Sequence, residues 1–497
     1  MSIDIISYML LKLVNQWFEA QLGRLFVYQY CMRKLLKLSN LLSLLKLTLT
    51  VVLSFSLGVV TTLTFGPGKQ IVNSQPEEVG YVTAESPFWQ EIQTDDTLIA
   101  HDFLKIDQEN SPQLTEASPD LILSNFQNRV ANEFQIPELI FNQTKFWFRI
   151  YTEFDSNKKV IHDSLHPHII YDVVDITDIL ALPARAQWLN VQKAEKEVAK
   201  KVSDIRKKLK KMAKKNPDDF DDEEKHWWEQ LKEVKGSRAK IIHTASLSIR
   251  VQTGQKNFFE NGLKMSGRYM EGMEEIFKNK NLPIELTRLP FVESSFVIGA
   301  TSKVGAAGIW QFMPGIGKKF LMVSDEIDER RNPWKASVAA AKLLKENHMI
   351  LHRNWGLALT AYNHGPGGVR QAMKVTKSKD IAKIVRSYRS KNFDFASSNF
   401  YTCFLAALYA YTYKDMIWSD PLIEAPLDFA KVKLKRSAKV NDLLQKAEIT
   451  VEELLAFNPE LDRVVRRNLK VPKGYEIFLP SQAAELISDL LLASLQD

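Results

Sequence analysis

Three stretches dense in alanine and leucine, Lys335 to Leu351, Trp355 to Asn363 and Ser398 to Tyr413, constrain this chain most. Small side chains interleaved with leucine are the mark of interior helices that pack closely on one another. A further helix is expected over Pro283 to Phe296. Within the region Ile241 to Trp418, glycine gathers at loops, chiefly Gly299 to Gly317 and Gly365-Pro366-Gly367-Gly368. The second loop is not a nucleotide cradle, because no buried strand precedes it and no Lys-Ser/Thr pair follows. The fold class expected is mainly α.

The 497 residues allow two to four domains, and 45% apolar with 25% charged residues is ordinary for folded protein. A net charge of +7 is modest, and no basic patch interleaved with aromatics points to nucleic acid. Cys31 and Cys403 are the only cysteines, which argues against a disulfide framework or a cysteine metal site. Arg33, Lys34, Lys37 and Lys46 precede Leu47 to Phe65, an uncharged run about long enough to span a bilayer. Residues 1–66 therefore read as an export signal or membrane anchor, with Met32 a candidate true start.

Residues 67–125 read as a linker rich in Pro, Ser, Gln and acids. An N-terminal accessory region, 126–190, carries two strand candidates around His162, Asp163, His166 and His168; a polar loop explains these residues as well as a metal site does. In 191–240, Val198, Val202, Ile205, Leu209 and Met212 mark the seam of a charged helical hairpin. Its Lys-rich face is either solvated or meets an acidic polymer or partner. Residues 241–420 hold the long helical region, and 428–481 read strand, helix, helix, strand. A helical tail is expected over 482–497.

Glu293 stands alone among large apolar neighbours in Leu289-Pro290-Phe291-Val292-Glu293-Ser294-Ser295-Phe296. Apolar surroundings keep a carboxyl protonated to higher pH, as a general acid requires. A standard glycosidase needs a second carboxylate roughly 5–9.5 Å away. Glu285 lies eight residues upstream, about 12 Å along a regular helix. Asp325 and Glu326 lie well beyond the glycine-rich loop. A single acid suits chemistry in which the substrate supplies its own nucleophile. His348 and His352 have the i, i+4 spacing of a metal pair but lack the glutamate that would serve as base.

Downstream of Glu293-Ser294 come Gly305-Ala306-Ala307-Gly308-Ile309-Trp310-Gln311-Phe312-Met313-Pro314, then Ala361-Tyr362-Asn363-His364-Gly365, then Tyr401. This ordered set resembles the lytic murein transglycosylases of the soluble-transglycosylase superfamily, related to goose-type lysozyme, with the membrane-bound lytic murein transglycosylase D group nearest. The resemblance implies a lysozyme-like α+β catalytic domain, with an N-terminal α/β accessory region, the helical hairpin and a small βααβ LysM-like module. It implies cleavage of the MurNAc-GlcNAc bond of peptidoglycan glycan strands, with closure to a 1,6-anhydro end. Glu293 would be the catalytic acid and then base, and Tyr401 the residue orienting it. Ser294, Gln311, Tyr362 and Asn363 would hold sugar.

No cofactor or metal is implied, and the expected protein is a monomer in the bacterial envelope, on the periplasmic side, touching the membrane through its N-terminal apolar segment. Three departures from the family pattern stand out. Trp310 replaces the commoner methionine and is expected to alter a contact with sugar. Asn332 stands where aspartate is usual, and Tyr401 lacks the Pro-Lys that often follows it. In the last module the usual Gly-Asp-Thr-Leu is missing, so glycan binding and a structural buttress both stay open. Hydrolytic lysozyme action and a non-catalytic wall-binding scaffold are the competing readings of the whole.

Overall fold

Backbone pairing and helix packing are given by a computed structural model that describes residues 118–183, 186–487 and 491–492. The expected export segment, 1–66, and all but the end of the linker, 67–125, lie outside the described residues. Among the described residues, no helix is long and apolar enough to cross a membrane.

Helix α1 (Phe141–Thr152) precedes strands β1 (Lys158–Asp163) and β2 (Ile170–Asp175). Helices α2 (Gln187–Met212) and α3 (Asp222–Leu231) form the charged hairpin, and α4 (Arg238–Leu247) leads into β3 (Ile249–Thr253). Strand β3 returns to pair antiparallel with β1, giving the order β2-β1-β3. The hairpin is thus an insertion between two strands of a small sheet. Its seam residues Val198, Ile205, Leu209 and Met212 are buried, and a capping box at Asp221 and Glu224 starts α3. Trp227 anchors the hairpin to the sheet by donating its indole N–H to the Tyr171 carbonyl at 3.1 Å.

The expected accessory region divides between two cores. Phe146, Trp147 and Ile150 of α1 belong to the main core, whereas Ile161, Tyr171 and Val174 pack with the hairpin. Helix α1 lies against the last helix of the body, so this N-terminal element helps to build the main core.

That body comprises α5 (Lys256–Ser266), α6 (Met270–Lys278), α7 (Leu289–Ser294), α8 (Pro333–Ile350), α9 (Trp355–His364), α10 (Pro366–Thr376), α11 (Ile381–Ser387) and α12 (Phe395–Thr412). The alanines behave as their density suggests: Ala339, Ala340 and Ala341 of α8, Ala358 of α9 and Ala406 and Ala407 of α12 are all in the core. Helix α12 is apolar on every side, which fits its burial on every side.

The single helix expected over Pro283 to Phe296 is instead a 3-10 turn (Ile284–Arg288) followed by α7. Pro290 explains the break. It lacks an N–H and is tolerated in the first turn of a helix but not in its interior. Ser295 and Phe296, at φ 47° and 61°, then end α7 abruptly.

The C-terminal module runs β4 (Phe429–Leu434), β5 (Ala438–Lys439), α13 (Val440–Ala447), α14 (Val451–Phe457), α15 (Asp462–Arg466), β6 (Lys470–Val471) and β7 (Glu476–Pro480). β4 pairs antiparallel with β7. Of the helical tail expected over 482–497, the described residues hold a short α16 (Ser481–Leu486) and β8 (Leu491–Leu492), which pairs with β4; the rest lies outside the described residues.

This module grips the body at the start of α8. The Trp334 ring lies 4.3 Å from Phe429 and 4.9 Å from Phe478, centre to centre, with Tyr269 5.2 Å away. Beside it, Asn332 caps α8 by accepting the N–H groups of Trp334 and Lys335. The same amide donates to Glu460 Oε2 at 2.9 Å, and Tyr475 donates to Oε1 at 3.1 Å. Lys335 Nζ stands 3.3 Å from that carboxylate, which burial nevertheless holds above the usual carboxyl range.

The asparagine at 332 now has a physical reason. An aspartate there would face Glu460 with a like charge and no donor. Asn332→Asp is expected to lower unfolding free energy by about 2–4 kcal/mol at neutral pH. Urea denaturation measures this, and an unchanged midpoint would show that the junction contributes nothing to stability.

Candidate active site

Glu293 is the penultimate residue of α7 and only 4% exposed. Its surroundings follow from the helix face. Phe291 stacks on Phe259 at 4.8 Å and packs against Phe296 and Tyr411 at 5.2 and 5.5 Å. The carboxyl accepts no hydrogen bond among the described residues. Burial alone pushes it up to about 8, because ionising it would strand a charge in apolar surroundings. At neutral pH the side chain therefore holds its proton.

Ser294, expected to hold sugar, is fully buried. Its hydroxyl donates to the Ile309 carbonyl at 3.0 Å, with the Pro290 carbonyl at 3.3 Å. It ties α7 to the loop 300–312 and does not face solvent. That loop is held from the other side by Arg330. The buried guanidinium donates to the carbonyls of Gly305 at 2.7 Å and Phe312 at 2.8 Å, and pairs with both Asp328 oxygens. Gly308 passes so close to the Arg330 carbonyl that a Cβ would sit 1.8 Å from that oxygen, and its φ is +74°. Only glycine fits. Sequence pattern alone does not disclose this clamp, since Asp328-Glu329-Arg330 reads as an ordinary charged run.

Trp310 is corrected. It is fully buried, stacks 5.9 Å from Phe277 and donates its indole N–H to Ser337 at 2.9 Å. Its large ring is anchored in the core and cannot meet sugar. Gln311, in the left-handed region at φ 47°, turns its side chain back to donate to the Gly308 carbonyl at 2.8 Å. Its amide oxygen accepts nothing among the described residues.

Tyr362, half-buried on α9, donates its hydroxyl to the Trp310 carbonyl at 2.8 Å. Burial raises this phenol, and the Glu293 charge adds to the effect, so the two groups share one electrostatic neighbourhood. Asn363 accepts from the Ser397 hydroxyl at 3.1 Å, which also meets His364 Nδ1 at 3.1 Å. The structure thus brings Glu293, the 308–311 loop and Tyr362 together, with Asn363 on the adjoining helix position.

Tyr401 is buried on α12. Its ring lies against Gly356 of α9, close enough to oppose a side chain there, and no hydrogen bond links it to Glu293 among the described residues. A hydroxyl that feels the Glu293 charge is that of Tyr151 on α1. Burial raises Tyr151 most, with Cys403 of α12 next to it and the Glu293 charge also acting on it. Tyr151 stacks on Phe259, the ring that stacks on Phe291. Sequence spacing offered no route to it, since 142 residues separate Tyr151 from Glu293 (293 − 151).

Of the histidines that the sequence singles out, His162 is buried and pairs at Nδ1 with the Asp163 carbonyl. His348 stacks on Trp355 at 3.7 Å. In the β1–β2 loop, Asp163 accepts the N–H groups of Leu165 and His166 and the Tyr171 hydroxyl. No three ligating side chains converge as a metal site among the described residues.

Comparison with known proteins bears on this same stretch. The curated "Membrane-bound lytic murein transglycosylase D" of Escherichia coli K12 is 37% identical over 112 residues, covering 22% of this chain and 25% of that protein. A "Putative tributyltin chloride resistance protein" of an Alteromonas species is 35% identical over 103 residues, covering 20% of this chain and 50% of that protein. The chain thus spans a quarter to a half of the length of these relatives. Among solved structures, the 70 kDa soluble lytic transglycosylase of Escherichia coli overlaps 41% of this chain and 34% of its own, at 19% identity and a TM-score of 0.27. Residues 273–385 match the family described as the Transglycosylase SLT domain, and this matched stretch holds Glu293, the Arg330 clamp and Tyr362.

Proposed function

We propose that this chain is a lytic transglycosylase that cleaves the MurNAc-GlcNAc bond of peptidoglycan without water. The observation that carries the reading is Glu293: a buried carboxyl, protonated near neutral pH, with no second acid acting on it. In the proposed cycle Glu293 donates its proton to the glycosidic oxygen and the C1–O bond breaks. The muramyl acetamido oxygen steadies the positive charge developing at the ring. Glu293, now a carboxylate, takes the proton of the C6 hydroxyl as O6 closes on C1. The proton lost in the first half returns in the second, and no water or cofactor enters. Burial favours both halves, since a carboxylate formed in apolar surroundings is a strong base.

In this reading Gln311, Tyr362 and Asn363 hold sugar, while Ser294 and Arg330 keep the loop in place. Tyr401 was the expected orienting residue; the action of the Glu293 charge on the buried Tyr151 hydroxyl supports Tyr151 in that role instead. The uncharged run 47–65 would tether the enzyme in the envelope or be cleaved on export, and the Trp334 junction favours a buttress role for the C-terminal module.

Mass spectrometry of digested peptidoglycan tests the reaction. Anhydro-muramyl ends are expected; reducing muramyl ends alone would instead identify a hydrolase. Glu293→Gln is expected to lower turnover roughly 10²- to 10⁴-fold while glycan binding persists; undiminished turnover would contradict the assignment. The pH profile has a defined sign. The working acid is protonated below its pKa, so kcat/KM should fall as pH rises through about 8.

Stability carries the same signature. Between the ordinary glutamate range and about 8, the unfolded chain releases this proton while the native chain keeps it, so native stability declines across that window. Glu293→Gln should therefore be the more stable protein at pH 9, in thermal melts taken beside wild type. Tyr151→Phe is expected to move the alkaline limb of the activity profile and Tyr401→Phe to leave it in place; the reverse outcome would restore Tyr401 as the orienting group.

A further inference from the structure

A cleft of about 400 Å³ lies between the β1–β2 loop and the segment joining α11 to α12, with no residue of α7 in its lining. Leu165, Val385, Phe393 and Phe395 give it an apolar floor, and Arg386 and Arg389 stand among its lining. Neither arginine has a salt-bridge partner among the described residues. Arg386 Nη1 lies 3.5 Å from His166 Nδ1. Burial, with Arg386 nearby, pushes His166 and its neighbour His168 down to about 4, so both are neutral and supply no countercharge. Arg389 donates from Nη1 to the carbonyls of Val385 and Tyr388, which leaves Nε and Nη2 of its fork unengaged among the described residues. The lone acid of the lining, Asp394, uses one oxygen to cap α12 through the N–H groups of Ala396 and Ser397.

Two cations over an apolar floor suit a ligand with a carboxylate at one end and small apolar groups behind it. A bare inorganic anion would leave the floor unused. The cleft also adjoins the proposed sugar site. Ser397, which bonds Asn363, shares a turn of α12 with Ser398 and Asn399 of the lining. We propose that this cleft binds the acidic peptide stem carried by the glycan strand, with Arg386 and Arg389 receiving a stem carboxylate. The inference rests on the transglycosylase reading and adds a specificity determinant built partly from residues outside 273–385.

The test compares glycan strands with intact stems against the same strands stripped by an amidase, using the full chain. In the Arg386→Ala/Arg389→Ala variant, KM for stem-bearing strands should rise roughly tenfold or more, as for loss of charge-assisted hydrogen bonds, with kcat unchanged. Kinetics on stripped strands should not move, which also certifies that the variant is folded. Equal losses on both substrates, or none on either, would overturn the proposal. A second arm titrates free stem tetrapeptide into the Glu293→Gln chain. Binding that vanishes when both arginines are removed supports the cleft, and absent or unaffected binding overturns it. Wild type inert on both substrates would instead sink the transglycosylase reading, while the titration still decides the cleft.

Discussion

Taking one carboxyl out of water is the constraint on which this structure turns. Glu293 gains no ion pair and no protein hydrogen bond among the described residues to offset the loss of solvation, so the neutral form is retained. Such a site exists only where the fold makes the apolar enclosure unavoidable. Here Phe259, Phe291 and Phe296 are fixed by the core, and the helix bearing Glu293 is stopped at once by two left-handed residues. The acid ends up at the edge of the core, with slight access to solvent.

The remaining parts of the site serve that placement. The loop 300–312 has little regular structure and would not hold its shape by itself. Arg330 supplies three of its constraints at once, by two carbonyl hydrogen bonds and by a close pass that only Gly308 allows. Ser294 and Tyr362 then join the loop to α7 and α9. A buried guanidinium paired to Asp328 contributes mainly geometric definition, since its desolvation offsets much of the attraction. Helix α1 brings Tyr151 within reach of the Glu293 charge from a segment that precedes the SLT match.

Much of this was legible in the chain, and the legible parts share a physical basis. Density of alanine located the interior helices, because small side chains on every face let neighbouring helices approach closely. The isolation of Glu293 among apolar residues foretold its raised pKa, since burial is a local property of a helix face. The illegible parts depend on contacts between distant segments. Nothing near Trp310 indicated that its ring would turn inward to Phe277 and Ser337. Tyr401 lies on a helix that is buried all round, so its sequence neighbours could not reveal that its ring meets Gly356 of α9. Asn332 read as a departure from a pattern until Glu460, 128 residues onward, was found opposite it.

All of this chemistry hinges on Glu293 being a neutral acid at physiological pH through burial alone. Direct titration of its carboxyl by carbon-13 NMR, assigned by difference from Glu293→Gln, measures this without any substrate. The predicted midpoint is about 8 and insensitive to salt, since no charged partner is involved. A midpoint in the ordinary carboxylate range, near 4.5, would contradict it.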